Sequence, residues 1–270
     1  MSTEPPDDAR RAVQSVEVGG RLLLVLGQQR ESMSLKDLAA QAGLTPARAH
    51  PYLVSFGRLR LIEQDRQTGR YALGPGALQL GLSALAQLDA MRAAEQVAED
   101  LAAATGHAVA VAVWGSFGPT VVRMIEARQP LLVSMRAGTV MSVLGTATGR
   151  AFAAVLPVER LAQAAGGAVG DPPGRNAEFS SADLAVIEAA RHDVQAHGVV
   201  RAQGRPIPGI NAFSAPARDH EGHAALVITA LGREDRFPVD WDAPEARAVR
   251  DAAHEISSRL GWRGPGPGNP

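Results

Sequence analysis

Residues 34–56 read SLKDLAAQAGLTPARAHPYLVSF. Ser34 stands before Leu35, Leu38, Ala39 and Ala42, and the run closes at Gly43. A capping hydroxyl, an apolar stripe at helical spacing and a terminal glycine predict a short helix. Leu44 follows, then Thr45 as a second cap with Pro46 at the first helical position, where a missing N–H costs nothing. Ala49, Leu53 and Phe56 recur at i, i+4 and i+7, which carries this second helix to about Arg58. Ala39 and Gly43, four apart, are the small residues that let two short helices cross closely and the chain reverse. The pattern is a helix-turn-helix, and the helix from Pro46 is the one that would enter a DNA major groove.

The flanks extend this reading. Upstream, Leu22, Leu23, Val25 and Leu26 lie at helical spacing behind Gly19–Gly20, predicting a helix over 16–28. Downstream, Leu61–Gln64 and Arg70–Leu73 are short strands around the turn Asp65–Gly69, a hairpin placed as the wing of a winged helix domain. Between Arg11 and Arg70 nine basic residues face five acidic ones, +4 in a chain whose formal net charge is −1, which suits an anionic partner. Gly74–Pro75–Gly76 marks a boundary. Beyond it, helical spacing runs from Leu78 towards Gly106, with a break left open; Val109–Val113 and Thr120–Ile125 form a hairpin. Leu131–Val133 is a strand, Thr146–Val155 a helix, and 166–175 a Gly/Pro-rich loop. Ser180 with Asp183 caps a helix closed by Gly198. Val199–Val200, Ile210–Ala215 and Ala224–Leu231 are strands, the last two joined by a turn at Asp219–Gly222, and a final helix spans about 244–260.

Composition narrows the function. The 270 residues are 46% hydrophobic and contain no cysteine, which excludes disulfides, thiolate metal sites and thiol catalysis. No apolar run approaches the roughly 18 residues of a membrane span, and the acidic N-terminus is unlike a basic leader, so a soluble, cytoplasmic protein is expected. His220–Glu221–Gly222–His223 lacks the zinc-protease spacing, His192 and His197 share no helix face, and Ser214 lacks a nucleophile elbow. Neither metal, cofactor nor enzymatic activity is expected.

Taken in order, Ser15–Glu17, Leu35–Ala39, Ala42–Leu44, His50, Leu53, Ile62–Asp65 and Gly69–Gly74 resemble the IclR family of bacterial transcriptional regulators. The small-residue run Gly145–Ala151, then His197–Val199 and Pro208–Pro216, resemble that family's effector-binding half. The resemblance spans about 15–260 and implies an α+β chain of two domains. Residues 11–74 would form a winged helix-turn-helix, 75–90 a linker helix, and 91–262 a GAF-like domain with a central, mainly antiparallel sheet. Residues 1–10 and 263–270 would be disordered tails.

The resemblance also implies partners: palindromic operator DNA, a small organic acid effector, and a homodimer or dimer of dimers. Thr45, Arg48 and His50 would contact the groove, with Arg58, Arg66 and Arg70 on phosphates. Effector contacts would come from the backbone of Ala147 and Thr148, from Ala212 and Thr229 together with Ala202 and Leu231, and from Met135, Met141 and Phe213. The best-understood keto-acid sensors of this family are more polar at three of the four strand and loop positions, which favours a larger, more apolar carboxylate here, such as an aromatic acid. One departure stands out. Pro51 replaces a usually basic residue after the His, removing a helix hydrogen bond and a DNA contact. A competing reading is therefore a small-molecule-binding module whose DNA binding is impaired by Pro51.

Overall fold

The apolar stripes of the N-terminal part become α1 (Gln14–Gln28), α2 (Leu35–Gln41) and α3 (Pro46–Arg58), followed by strands β1 (Ile62–Gln64) and β2 (Tyr71–Leu73). The computed structural model describes residues 13–29, 31–86, 89–126, 135–165 and 178–264. The chain divides into two compact units, Met1–Leu88 and Asp89–Pro270.

In the first unit, Leu22 and Leu26 of α1, Leu38 and Ala39 of α2, Ala49 and Leu53 of α3, and Ile62 and Tyr71 of the hairpin share one buried core. Both caps form as their chemistry requires: Ser34 accepts from the Asp37 N–H and Thr45 from the Arg48 N–H. Gly43 holds φ +70°, the left-handed turn that glycine tolerates. Gly19 lets α1 and α3 touch, since a Cβ there would lie 2.8 Å from the Phe56 ring. Pro51 does not interrupt α3. As the sixth residue of that helix it lacks only the bond to the Ala47 carbonyl, and Ala47 is exposed, so the loss falls on a solvent-accessible residue. The hairpin is antiparallel, Ile62 opposite Leu73. Helix α4 (Pro75–Ala86) completes this unit.

The second unit opens with α5 (Ala90–Thr105), capped by Asp89 and ended by Gly106 at φ 73°, so the helical stretch beyond Gly74 is two helices. Strands β3 (Ala108–Gly115) and β4 (Gly118–Ile125) form the expected hairpin. Helices α6 (Ala147–Ala153), α7 (Val158–Ala165) and α8 (Ser181–His197) precede β5 (Val200–Gln203), β6 (Ile210–Arg218) and β7 (Ala224–Arg233), and α9 (Pro244–Arg259) ends the unit. Helix α7 has no counterpart in the sequence reading; the strand at 131–133 and the loop at 166–175 lie outside the described residues. Ser180 and Asp183 close a capping box on α8.

The five strands form one antiparallel sheet in the order β4-β3-β7-β6-β5. Side chains alternate across it. Val109, Val111, Phe213, Ala215, Leu226, Ile228 and Ala230 pack on one face, with α5 and α9. Ala112, Val200 and Val227 pack with Phe152, Leu161 and Ile187 of α6, α7 and α8, and Ala108, Ala110 and Leu231 form a smaller cluster with Val121 and the flanking Met135 and Met141.

Two glycines separate close approach from mere permissiveness. A Cβ on Gly149 would fall 2.1 Å from the Ser142 carbonyl oxygen and 2.3 Å from that of Val143, whereas Gly20 has nothing within 4 Å. Gly149→Ala is expected to cost about 1–3 kcal/mol through forced displacement of backbone and to lower the melting temperature of the second unit by several degrees. Gly20→Ala should instead stabilise the first unit by about 0.5–1 kcal/mol. Calorimetry on the two variants resolves the opposite signs.

Candidate nucleic-acid interface and effector pocket

Thr45, Arg48, His50, Arg58, Arg66 and Arg70 are all exposed, but they do not form one surface. Since Ala49, Leu53 and Phe56 face the core, a rotation of about 100° per residue centres the outward face of α3 on Ala47, Pro51 and Arg58. Arg48 and Ser55 flank one side. His50 turns the other way and lines a recess of about 400 Å³ with Arg60, Glu63 and Tyr71, between α3 and the hairpin. The Thr45 hydroxyl accepts the Arg48 N–H at 3.4 Å, which leaves its proton for a phosphate or base oxygen.

Asp65 shapes the hairpin tip. Its Oδ1 accepts from the Gln67 and Thr68 N–H groups at 2.8 and 2.7 Å, and these bonds hold its carboxyl below the usual carboxylate range. Arg66 stands exposed at that tip. Arg70 differs. Its Nε and Nη2 both donate to the Ser32 carbonyl, beside the Met33–Tyr71 bridge. That guanidinium fastens the hairpin to the segment before α2, a role that spacing along the chain does not reveal.

In the second unit Ala147, Thr148, Ala202, Ala212, Thr229, Met135 and Met141 come together around one small cavity, joined by Ala110, Thr146, Ile210 and Leu231. Phe213 does not. It lies on the opposite face of the sheet, fully buried against Phe237 and Trp241. Adjacent residues of a strand cannot point into one cavity, and Ala212 takes that side. The cavity volume is about 50 Å³, room for one or two waters.

The start of α6 is held tightly. Thr146 accepts from the Gly149 N–H and donates to the Ser142 carbonyl, while Arg150 reaches the carbonyls of Leu144 and Arg201. Thr148 Oγ1 lies 2.9 Å from Thr229 Oγ1, which lies 2.7 Å from Ser214 Oγ. All three residues are buried, and the two bonds tie α6 to β7 and β6. Sequence reasoning missed Ser214 as a partner and Arg205, Pro206 and Ile207 as lining residues. Arg205 stands two residues beyond the end of β5, whose Ala202 lines the cavity, and this was the available signal. Asp219, Glu221 and His223 bring possible metal-ligand atoms within 4.8 Å of one another at an exposed turn, but Asp219 Oδ1 already accepts the N–H groups of the other two.

A helix-turn-helix followed by a hairpin, on one chain with a sheet unit, is the arrangement of a transcription regulator. Residues 15–66 match the IclR helix-turn-helix domain and residues 82–258 the C-terminal domain of bacterial IclR transcriptional regulators; the chain belongs to the IclR family. It is 29% identical over 259 residues to the glycerol operon regulatory protein of Streptomyces griseus, covering 93% of this chain and 98% of that protein. It is 23% identical to the transcriptional repressor AllR of Klebsiella pneumoniae, covering 94% and 93%. Among solved structures, HmgR of Pseudomonas aeruginosa superposes with a TM-score of 0.81 at 31% identity, covering 94% of this chain and all of that one. The family and these relatives are transcriptional regulators, and the chain is a DNA-binding regulator rather than an enzyme. No helix among the described residues is long and apolar enough to cross a membrane.

Thr229→Val keeps the shape of the side chain but strips both Ser214 and Thr148 of their partner. The expected cost is about 1–3 kcal/mol, read as a lower denaturation midpoint of the second unit. Adding Ser214→Ala removes one stranded hydroxyl and should recover part of that loss in a double-mutant cycle.

Proposed function

We propose that the chain is a ligand-responsive IclR-type regulator in which residues 11–74 read operator DNA, a helix within 75–90 links the domains, and 91–262 bind a small organic carboxylate. The observation that carries this reading is the cavity beside α6. It is mostly apolar, yet Thr148 and Thr229 line it, and the Ala147 and Thr148 N–H groups lie ahead of Arg150, whose N–H makes the first intrahelical bond, to the Thr146 carbonyl. Apolar walls with a few convergent donors suit an acid with an apolar body. At about 50 Å³ the cavity admits an aromatic or similarly bulky acid only when Met135 and Met141 shift. Unbranched methionine side chains repack at low cost, so ligand entry and local rearrangement go together.

On the DNA side, Arg48, Thr45 and Arg58 lie on or beside the outward face of α3, and Arg66 extends the contact at the hairpin tip. His50 and Arg70 support the hairpin more than the groove. Pro51 takes away a basic contact, which is the ground for the competing reading of an impaired module, but its helix is continuous, which favours a DNA-binding module that works. A homodimer supplies two recognition helices for a palindrome. Its interface is drawn from α4, which carries no charged residue and exposes Leu78, Leu80 and Leu82, together with Val13, Val16 and Leu24 at α1. Function in the cytoplasm follows from the need to meet DNA.

Fluorescence anisotropy on DNA selected from a random pool tests this reading. Wild type should bind selectively, and Arg66→Ala should weaken all sequences alike and reduce the salt slope by about 1. Selective binding only after Pro51→Arg would support the impaired module instead. Leu78→Glu with Leu82→Glu should convert a dimer to a monomer in light scattering; an unchanged mass would rule out the α4 interface.

A further inference from the structure

The cavity has two chemically different ends. Thr148 and Thr229, only 3% and 4% exposed, form its inner end. Arg205 and Pro206, both exposed, form its mouth. Arg205 is the one charged side chain lining the cavity among the described residues. No carboxylate there lies within ion-pair distance of it.

The loop that carries Arg205 is pinned at both ends. The Gly204 N–H donates to the Ile210 carbonyl and to Asn211 Oδ1. Asn211, 4% exposed, donates in turn to the Phe237 carbonyl. At the other end the Glu234 N–H donates to the Gly209 carbonyl. Two prolines, Pro206 and Pro208, stiffen the span between. A cation that makes no ion pair among the described residues is thus held at the entrance of an apolar cavity, on a loop pinned by a buried amide.

The inner end has its own arithmetic. Ser214, Thr229 and Thr148 share three hydroxyl protons between two hydrogen bonds. One proton is left over, and the chain can run in either direction. When it runs from Ser214 to Thr148, the spare proton is offered at Thr148, which lines the cavity. An apolar group there would leave that donor unmet, a cost borne only by ligands lacking an oxygen at that end.

Resting on the effector reading above, we propose that the ligand is a two-ended acid: a carboxylate paired with Arg205 at the mouth, an apolar body, and a distal hydroxyl or carbonyl oxygen read by the Thr148–Thr229–Ser214 chain. Arg205 is the residue that selects acids over neutral analogues. The hydroxyl chain selects oxygenated acids over their plain parents.

Calorimetric titration of the full chain with benzoate, 4-hydroxybenzoate, methyl 4-hydroxybenzoate, hexanoate and 6-hydroxyhexanoate tests both halves. Wild type is expected to bind a hydroxy acid about tenfold more tightly than its parent, and 4-hydroxybenzoate about tenfold more tightly than the ester. Arg205→Gln should bring acid and ester within about twofold, Arg205→Lys should keep part of the preference, and Arg233→Gln, outside the cavity, should keep all of it. An Arg205→Gln protein that still favours the acid tenfold overturns the role of Arg205. Equal affinity for hydroxy acid and parent overturns the role of the hydroxyl chain. Failure of wild type to bind any of the acids overturns the effector reading itself, and this inference with it.

Discussion

The side-chain alternation of the five-stranded sheet is the constraint from which the second unit follows. In β3 the valines at 109 and 111 point to the face covered by α5 and α9, while the alanines at 108, 110 and 112 point to the other. In β6 and β7 the same division sets Phe213, Ala215, Ile228 and Ala230 against Ala212, Ser214, Thr229 and Leu231. Bulk on one face makes a core; small and hydroxylated residues on the other leave a recess that the start of α6 cannot fill. A shift of one residue in any of these strands would exchange the two sets. The cavity is therefore a consequence of register.

Helix α6 makes that recess a defined site. Gly149 brings its first turn against the Ser142 and Val143 carbonyls at a distance no other residue permits, and Thr146 caps it. Arg150 ties its far side to β5 through the Arg201 carbonyl, in surroundings dry enough to lower the pKa of its guanidinium. Any ligand that moves α6 must disturb these contacts, so they are where binding energy would become conformational change.

Much of this was legible from residues 34–56, because caps, glycines and helical periodicity are local signals; Ser34, Gly43 and Thr45 each do what their chemistry predicts. The cavity was half legible. Ala147, Thr148, Ala212 and Thr229 meet around it, whereas Phe213, next to Ala212 on the same strand, necessarily faces the other way. Arg70 shows the other limit. Its partner, Ser32, is distant in sequence and pairs only because the hairpin folds back beside Met33. The Ser214 hydroxyl and the Arg205 loop likewise depend on register and on Asn211, which periodicity does not encode. Pro51 removes one helix hydrogen bond, as its chemistry requires, and its place early in α3 confines the loss to one exposed carbonyl.

Occupation of the cavity beside α6 is expected to change how the N-terminal unit holds DNA. The direct measurement is the affinity of the full chain for its selected DNA site, with and without a saturating concentration of an acid that calorimetry shows to bind. The account predicts a change of about 5- to 150-fold, the span of ordinary allosteric coupling, in either direction. The same affinity in both conditions, with the acid bound, would contradict it.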